Sequence, residues 1–192
     1  MTWTQRPASI PAPPQGTART RSRGRAATVR LCRIALLAAL GIALSALESL
    51  VVLPAPVPGL KLGIANTATL IAAFALGPVD AAAVLVVRVV LASLLTGQLA
   101  ALPFSLAGGA CAYLVIVAFA RFGGAGSIRL ASMAAGAAHN IGQVAVAAVL
   151  TATPEIAVYL PVLLVTGTAA GFLTGTLADA ILKHLPKALL AR

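Results

Sequence analysis

Long apolar runs separated by short clusters of Pro and Gly dominate the pattern along this chain. The first run extends from Leu31 to about Leu53 and is closed by Pro54, Pro56, Pro58 and Gly59. The next four runs cover about 62–76, 79–96, 104–120 and 128–150, and the last covers about 156–182. Gly77-Pro78, the stretch Gly97–Pro103, the Gly123–Gly126 loop and the loop holding Pro154 mark the boundaries. Most runs approach the roughly 20 apolar residues that a spanning helix needs. None has the strict alternation of a half-buried strand. The predicted fold is therefore all-α: a bundle of about six transmembrane helices. The second run is short for a span and is expected to be tilted, broken or partly re-entrant.

Residues 1–30 differ in kind. They are rich in Pro, Ser, Thr and Arg, contain no acidic residue and show no hydrophobic period. They are expected to form a disordered tail. A cleaved signal peptide is the rival reading, but the first run is long for a signal core and no clear cleavage site ends it. The expected organisation is a tail at 1–30, a membrane domain at 31–185 and a short end at 186–192.

Composition agrees. Of 192 residues, 60% are hydrophobic and 9% are charged, and the mean hydropathy is +1.00. Soluble domains carry roughly 25% charged residues. The net charge of +10 does not imply nucleic-acid binding, because seven of the 14 Lys and Arg lie within the first 33 residues. That distribution suits contact with anionic headgroups. With six spans, this tail, the Arg121–Arg129 loop and Lys183, Lys187 and Arg192 share one side. The positive-inside rule makes that side the cytoplasm, with both termini there and a plasma-membrane location expected. Cys32 and Cys111 are expected to be small core residues without a disulfide or metal role.

Polar residues inside the runs are few and fall at compatible depths. At about 1.5 Å per residue, Arg88 and His139 lie near mid-membrane, with Glu48, Thr96 and Gln143 about 22–26 Å from the cytoplasmic ends. Asn66 lies just below Lys61 on the descending second helix. His139 and Gln143, four apart, share a helix face. A polar cavity open to the outer side would produce this clustering, and Lys61 and Arg88 would suit a substrate with an anionic part. The alternative is that Arg88 only fixes the bundle and that His139 and Asn140 are satisfied core residues. Asp80, Asp179 and Glu155 are expected to be solvated. Small residues repeat every four positions at Ala35, Ala39 and Ala43 and at Gly167, Gly171 and Gly175, which permits close helix approach. The glycines are expected to pack within the chain, whereas the alanine face could instead dock a partner.

No phosphate-loop, zinc-protease or nucleophile-elbow pattern is present. No two aspartates are adjacent, so neither magnesium-diphosphate catalysis nor a cofactor is expected.

Several stretches carry a resemblance. They are Glu48-Ser49-Leu50, Pro56 through Asn66, Arg88 through Gly97, Ser105 through Gly109, and Gly136 through Gln143. Together, over about residues 31–185, they resemble the Gx transporter family, also labelled heptaprenyl diphosphate synthase component I. That family is similar to the substrate-binding S components of energy-coupling factor transporters. The resemblance implies an S-component-like six-helix fold that captures a small molecule from outside. It implies partnership with a transmembrane coupling protein and ATPases, with Ala35, Ala39 and Ala43 as docking surface. On this reading Lys61, Asn66 and Arg88 hold polar or anionic substrate groups, and Glu48 and Gln143 orient the substrate. Thr96 is a further substrate-binding residue, and His139 and Asn140 bind or relay closure. The alternative label implies a non-catalytic membrane subunit beside a prenyl diphosphate synthase.

Overall fold

The computed structural model describes residues 15–50 and 61–184. The breakers Pro54 to Gly59, the first 14 residues of the basic tail and the 186–192 end lie outside the described residues. By internal contacts the chain divides at Arg33, with Ile34–Arg192 forming one compact unit.

Six α-helices are described: α1 (Gln15–Ser49), α2 (Asn66–Ala75), α3 (Pro78–Leu95), α4 (Leu102–Phe122), α5 (Ile128–Leu150) and α6 (Leu160–His184). Short 3-10 turns at Leu99–Ala101, Ala125–Ser127 and Pro154–Tyr159 lead into α4, α5 and α6. No strand occurs among the described residues. Helix α1 begins well ahead of Leu31, so the structure describes residues 15–30 as helical where a disordered tail was expected. No proline occurs between Pro14 and Pro54, and the intervening Arg and Ala are good helix formers.

Five helical segments are long and apolar enough to cross a membrane: Gly24–Ser49, Pro78–Leu95, Leu99–Phe122, Ile128–Leu150 and Pro154–His184. Leu36, Leu47, Val79, Leu95, Val149 and Val165 are each more than half exposed, a surface that lipid can cover.

The sixth helix, α2, is different. Its ten residues rise only about 15 Å, half a hydrocarbon core. It packs against α3, α4, α5 and α6, and all of its residues except Phe74 are buried. Ala68, Leu70, Ile71 and Ala72 form the middle of the main core, with Val84, Ala112, Ile116, Ala131, Ala135 and Ala178 around them. Other helices thus shield α2 from lipid. That shielding allows the chain before it, Lys61–Ala65, to be non-helical, since irregular backbone at membrane depth is tolerated only inside protein.

Helices α5 and α6 make the most extensive pair, and glycine explains why. A Cβ on Gly136 would overlap the Gly167 carbonyl. One on Gly171 would lie 2.5 Å from the Ser132 carbonyl oxygen, and one on Gly175 2.7 Å from Ser132 Cβ. The glycine repeat of α6 therefore packs inside the chain, as expected. At one end Asp179 Oδ2 accepts from Arg129 Nη2 at 3.0 Å and Lys183 Nζ at 2.9 Å, clasping α5 to α6. Two acidic residues expected to be solvated are not free in water: Asp179 is in this clasp, and Asp80 is buried in the first turn of α3. Glu155 is exposed. Cys32 is exposed too, and Cys111 is half-buried against Gly142.

Gly136→Ala should force α5 and α6 apart. The expected cost is about 1–3 kcal/mol, or roughly 2–10 °C in the unfolding midpoint. Thermal unfolding in mild detergent checks this, with Gly126→Ala, where an added methyl meets nothing within 4 Å, as the unchanged control.

Candidate functional site

The candidate site forms where the chain enters α2. Lys61–Ala65 runs beside the last turn of α1, and Gly63 takes a positive φ of 85° that a side chain would oppose. Its lack of a Cβ has a second use, because a Cβ there would sit 3.0 Å from His139 Cδ2. The backbone amides of this segment have no helical partner, and the α2 cap residue Ala65 supplies no side-chain bond. Glu48 takes that role from another helix. Its Oε1 accepts from the Gly63 amide and from the Ile64 amide, the latter at 3.2 Å. A carboxylate at a helix N-terminus is also favoured by the helix dipole. Two residues before Gly63, the Lys61 amide donates to Gln143 Oε1 at 3.1 Å.

Helix α3 brings Arg88 against the start of α2. Its Nη2 donates to Asn66 Oδ1 at 2.5 Å and its Nε to Thr69 Oγ1 at 3.3 Å. Arg88 is 4% exposed. Among the described residues no carboxylate lies within ion-pair distance of it. Glycine makes room here as well, since a Cβ on Gly41 of α1 would fall 2.6 Å from Arg88 Cδ. On the opposite wall, a Cβ on Gly108 of α4 would fall 2.7 Å from His139 Nδ1 and 2.8 Å from Gln143 Cγ.

These groups surround a cavity of about 20 Å³, room for about one water. Glu48, Lys61, Asn66, Arg88 and His139 line it, with Ser45, Ser93 and Ser105 completing the wall. Several polar atoms nearby are buried without a hydrogen-bond partner: Asn66 Nδ2, both ring nitrogens of His139, and Gln143 Nε2. Such groups normally find partners, because leaving one unsatisfied costs about 1–3 kcal/mol. A larger hollow of about 200 Å³ lies at the far end of α2, lined by Phe74, Pro78, Val117, Ala120, Arg121 and small residues. None of the candidate residues borders it.

The eight residues singled out by sequence therefore divide. Glu48, Lys61, Asn66, Arg88 and His139 come together at one cavity, and Gln143 joins them through the Lys61 backbone. Asn140 does not. It is fully buried, and its Nδ2 donates to the Leu163 carbonyl of α6. Thr96 does not either: it caps α3 and donates to the Ala92 carbonyl at 2.7 Å. Each faces elsewhere although its depth is compatible, because helix rotation as well as depth decides direction. Ala35, Ala39 and Ala43 are exposed, while Ala38, Gly41, Ser45 and Glu48 turn inward. Sequence reasoning missed Gly41, Ser45, Ser93 and Ser105. The spacing of Gly41, Ser45 and Glu48, four and three apart, was the available signal for the first two. Among the described residues no three His, Cys, Asp or Glu side chains cluster as metal ligands would.

Long apolar helices around a buried polar centre define a helical membrane protein. Residues 37–181 match the family described as heptaprenyl diphosphate synthase component I, and the chain belongs to that family. No curated protein and no solved structure matches it.

Glu48→Ala should leave the Gly63 and Ile64 amides unsatisfied and lower stability by about 2 kcal/mol or more. Glu48→Gln keeps an acceptor oxygen and should recover at least half of the loss. Unfolding midpoints of the two variants in detergent check this. Equal losses would show that Glu48 does not act through those amides.

Proposed function

We propose that the chain is the substrate-capture subunit of a multi-component importer, taking a small molecule from the outer side without hydrolysing ATP. One observation carries this reading: a buried, cationic, incompletely hydrogen-bonded cavity at the non-helical entry to α2, between the last turn of α1 and the middle of α3 and α5. Ionisable residues placed there are costly and usually functional. Arg88 is the principal binding residue, Lys61 and Asn66 contact substrate, and His139 closes the opposite wall. Glu48 and Gln143 act through the backbone of the break, holding it against α1 and α5. Both termini are cytoplasmic in a plasma membrane, and the exposed Ala35, Ala39 and Ala43 face docks a membrane coupling protein served by ATPases.

The family description favours a second reading, a non-catalytic membrane subunit beside a heptaprenyl diphosphate synthase. The lack of adjacent aspartates argues against catalysis by this chain itself. The two readings differ in their company. Affinity purification from native membranes in mild detergent, followed by mass spectrometry, should recover a coupling protein with ATPases. Recovery of a prenyl synthase without them would favour the second reading. Arg88→Ala should insert normally and lose capture by about tenfold or more, the scale of a lost charge-assisted bond. Undiminished uptake by that variant removes Arg88 from the site.

A further inference from the structure

We infer that this cavity, roomy enough for about one water, takes a single oxygen of a substrate oxyanion, a carboxylate or phosphate, because cationic and amide donors outnumber the acceptors around it. The inference rests on the capture reading and names its substrate class.

The argument begins with amide orientation. A guanidinium can only donate, so the oxygen of Asn66 must be the atom facing Arg88 Nη2. A backbone N–H also can only donate, so the oxygen of Gln143 must face Lys61 N. Both side chains are thereby fixed, and each is left with an NH₂ group that has no partner. One of the two Glu48 carboxyl oxygens, Oε1, is held by two amides, those of Gly63 and Ile64. Thr69 Oγ1 accepts from Arg88 Nε. What remains around the cavity is the Asn66 NH₂, the Arg88 guanidinium, the Lys61 ammonium, the second Glu48 oxygen and the hydroxyls of Ser45, Ser93 and Ser105. Gln143 lies one step behind them. His139 offers one N–H and one lone pair in its neutral form, whichever tautomer it takes. A cation entering here would meet two basic side chains against one carboxyl group, and it would leave the Asn66 NH₂ unpaired. An oxyanion would satisfy several donors at once, and the buried setting strengthens each such bond.

Asn66→Asp is the discriminating variant. It retains an oxygen for Arg88, so the α2–α3 contact survives, but it replaces the free donor with an acceptor and adds negative charge. The test uses the full chain in mild detergent. Unfolding midpoints are followed with acetate, inorganic phosphate, methylammonium and acetamide at matched ionic strength. Molecules retained from the membrane are also released by denaturation and identified by mass spectrometry. The expected result is a midpoint rise with acetate or phosphate alone, or a retained molecule bearing one of those groups. Asn66→Asp should weaken either by about tenfold or more, and Arg88→Gln should do the same. Stabilisation by methylammonium or acetamide, or retention of a molecule with no acidic group, would overturn the oxyanion inference and leave the capture reading standing. If no probe acts and nothing is retained, both fall. An oxyanion response that Asn66→Asp leaves intact also overturns the inference, by locating the anion elsewhere.

Discussion

The bond from Glu48 to the amides of Gly63 and Ile64 is the constraint on which the site depends. A non-helical segment inside a membrane protein must satisfy its backbone without water. Here a single carboxyl from α1 does so for two amides, and an amide side chain from α5 does so for a third. The segment can therefore stay open, α2 can begin at half depth, and Arg88 can meet Asn66 at its first turn. Replacing the break with regular helix would remove the need for Glu48, but it would also erase the space around Arg88.

A division of labour follows. Helices α5 and α6, drawn together by glycine and clasped through Asp179, make a stiff wall that holds His139 and Gln143. Asn140 belongs to that wall, since its bond to Leu163 ties the two helices. The other wall comes from α1, α2 and α3 and carries Glu48, Asn66 and Arg88. Glycines at 41, 63 and 108 bring these walls close, each taking space that a methyl group would deny to a functional side chain.

Much of this was legible in the sequence. Run length and breakers located the helices, and the shortness of the second run indicated its irregularity. Counting helical rise set Glu48, Lys61, Asn66, Arg88, His139 and Gln143 at compatible depths, and the structure places these six near one another. The same count put Thr96 with them, although its hydroxyl turns back to the Ala92 carbonyl, because depth fixes one coordinate and rotation about the helix axis fixes another. The capping role of Glu48 was hidden for a different reason. It depends on unpaired amides fifteen and sixteen residues away, and no period in the sequence reports where a backbone will leave its helix. The early start of α1 was hidden by composition, since a basic stretch reads as solvated whether or not it is coiled.

The shortness of α2 bears on how the protein is made. A segment that rises about 15 Å is too brief to partition stably into a bilayer alone, and α3 beside it carries a charge. The neighbours that enclose α2 include α4, α5 and α6, which are synthesised after it. The centre of this molecule must therefore wait, incompletely housed, until its last helix has been inserted, and the binding chemistry is assembled late in biogenesis.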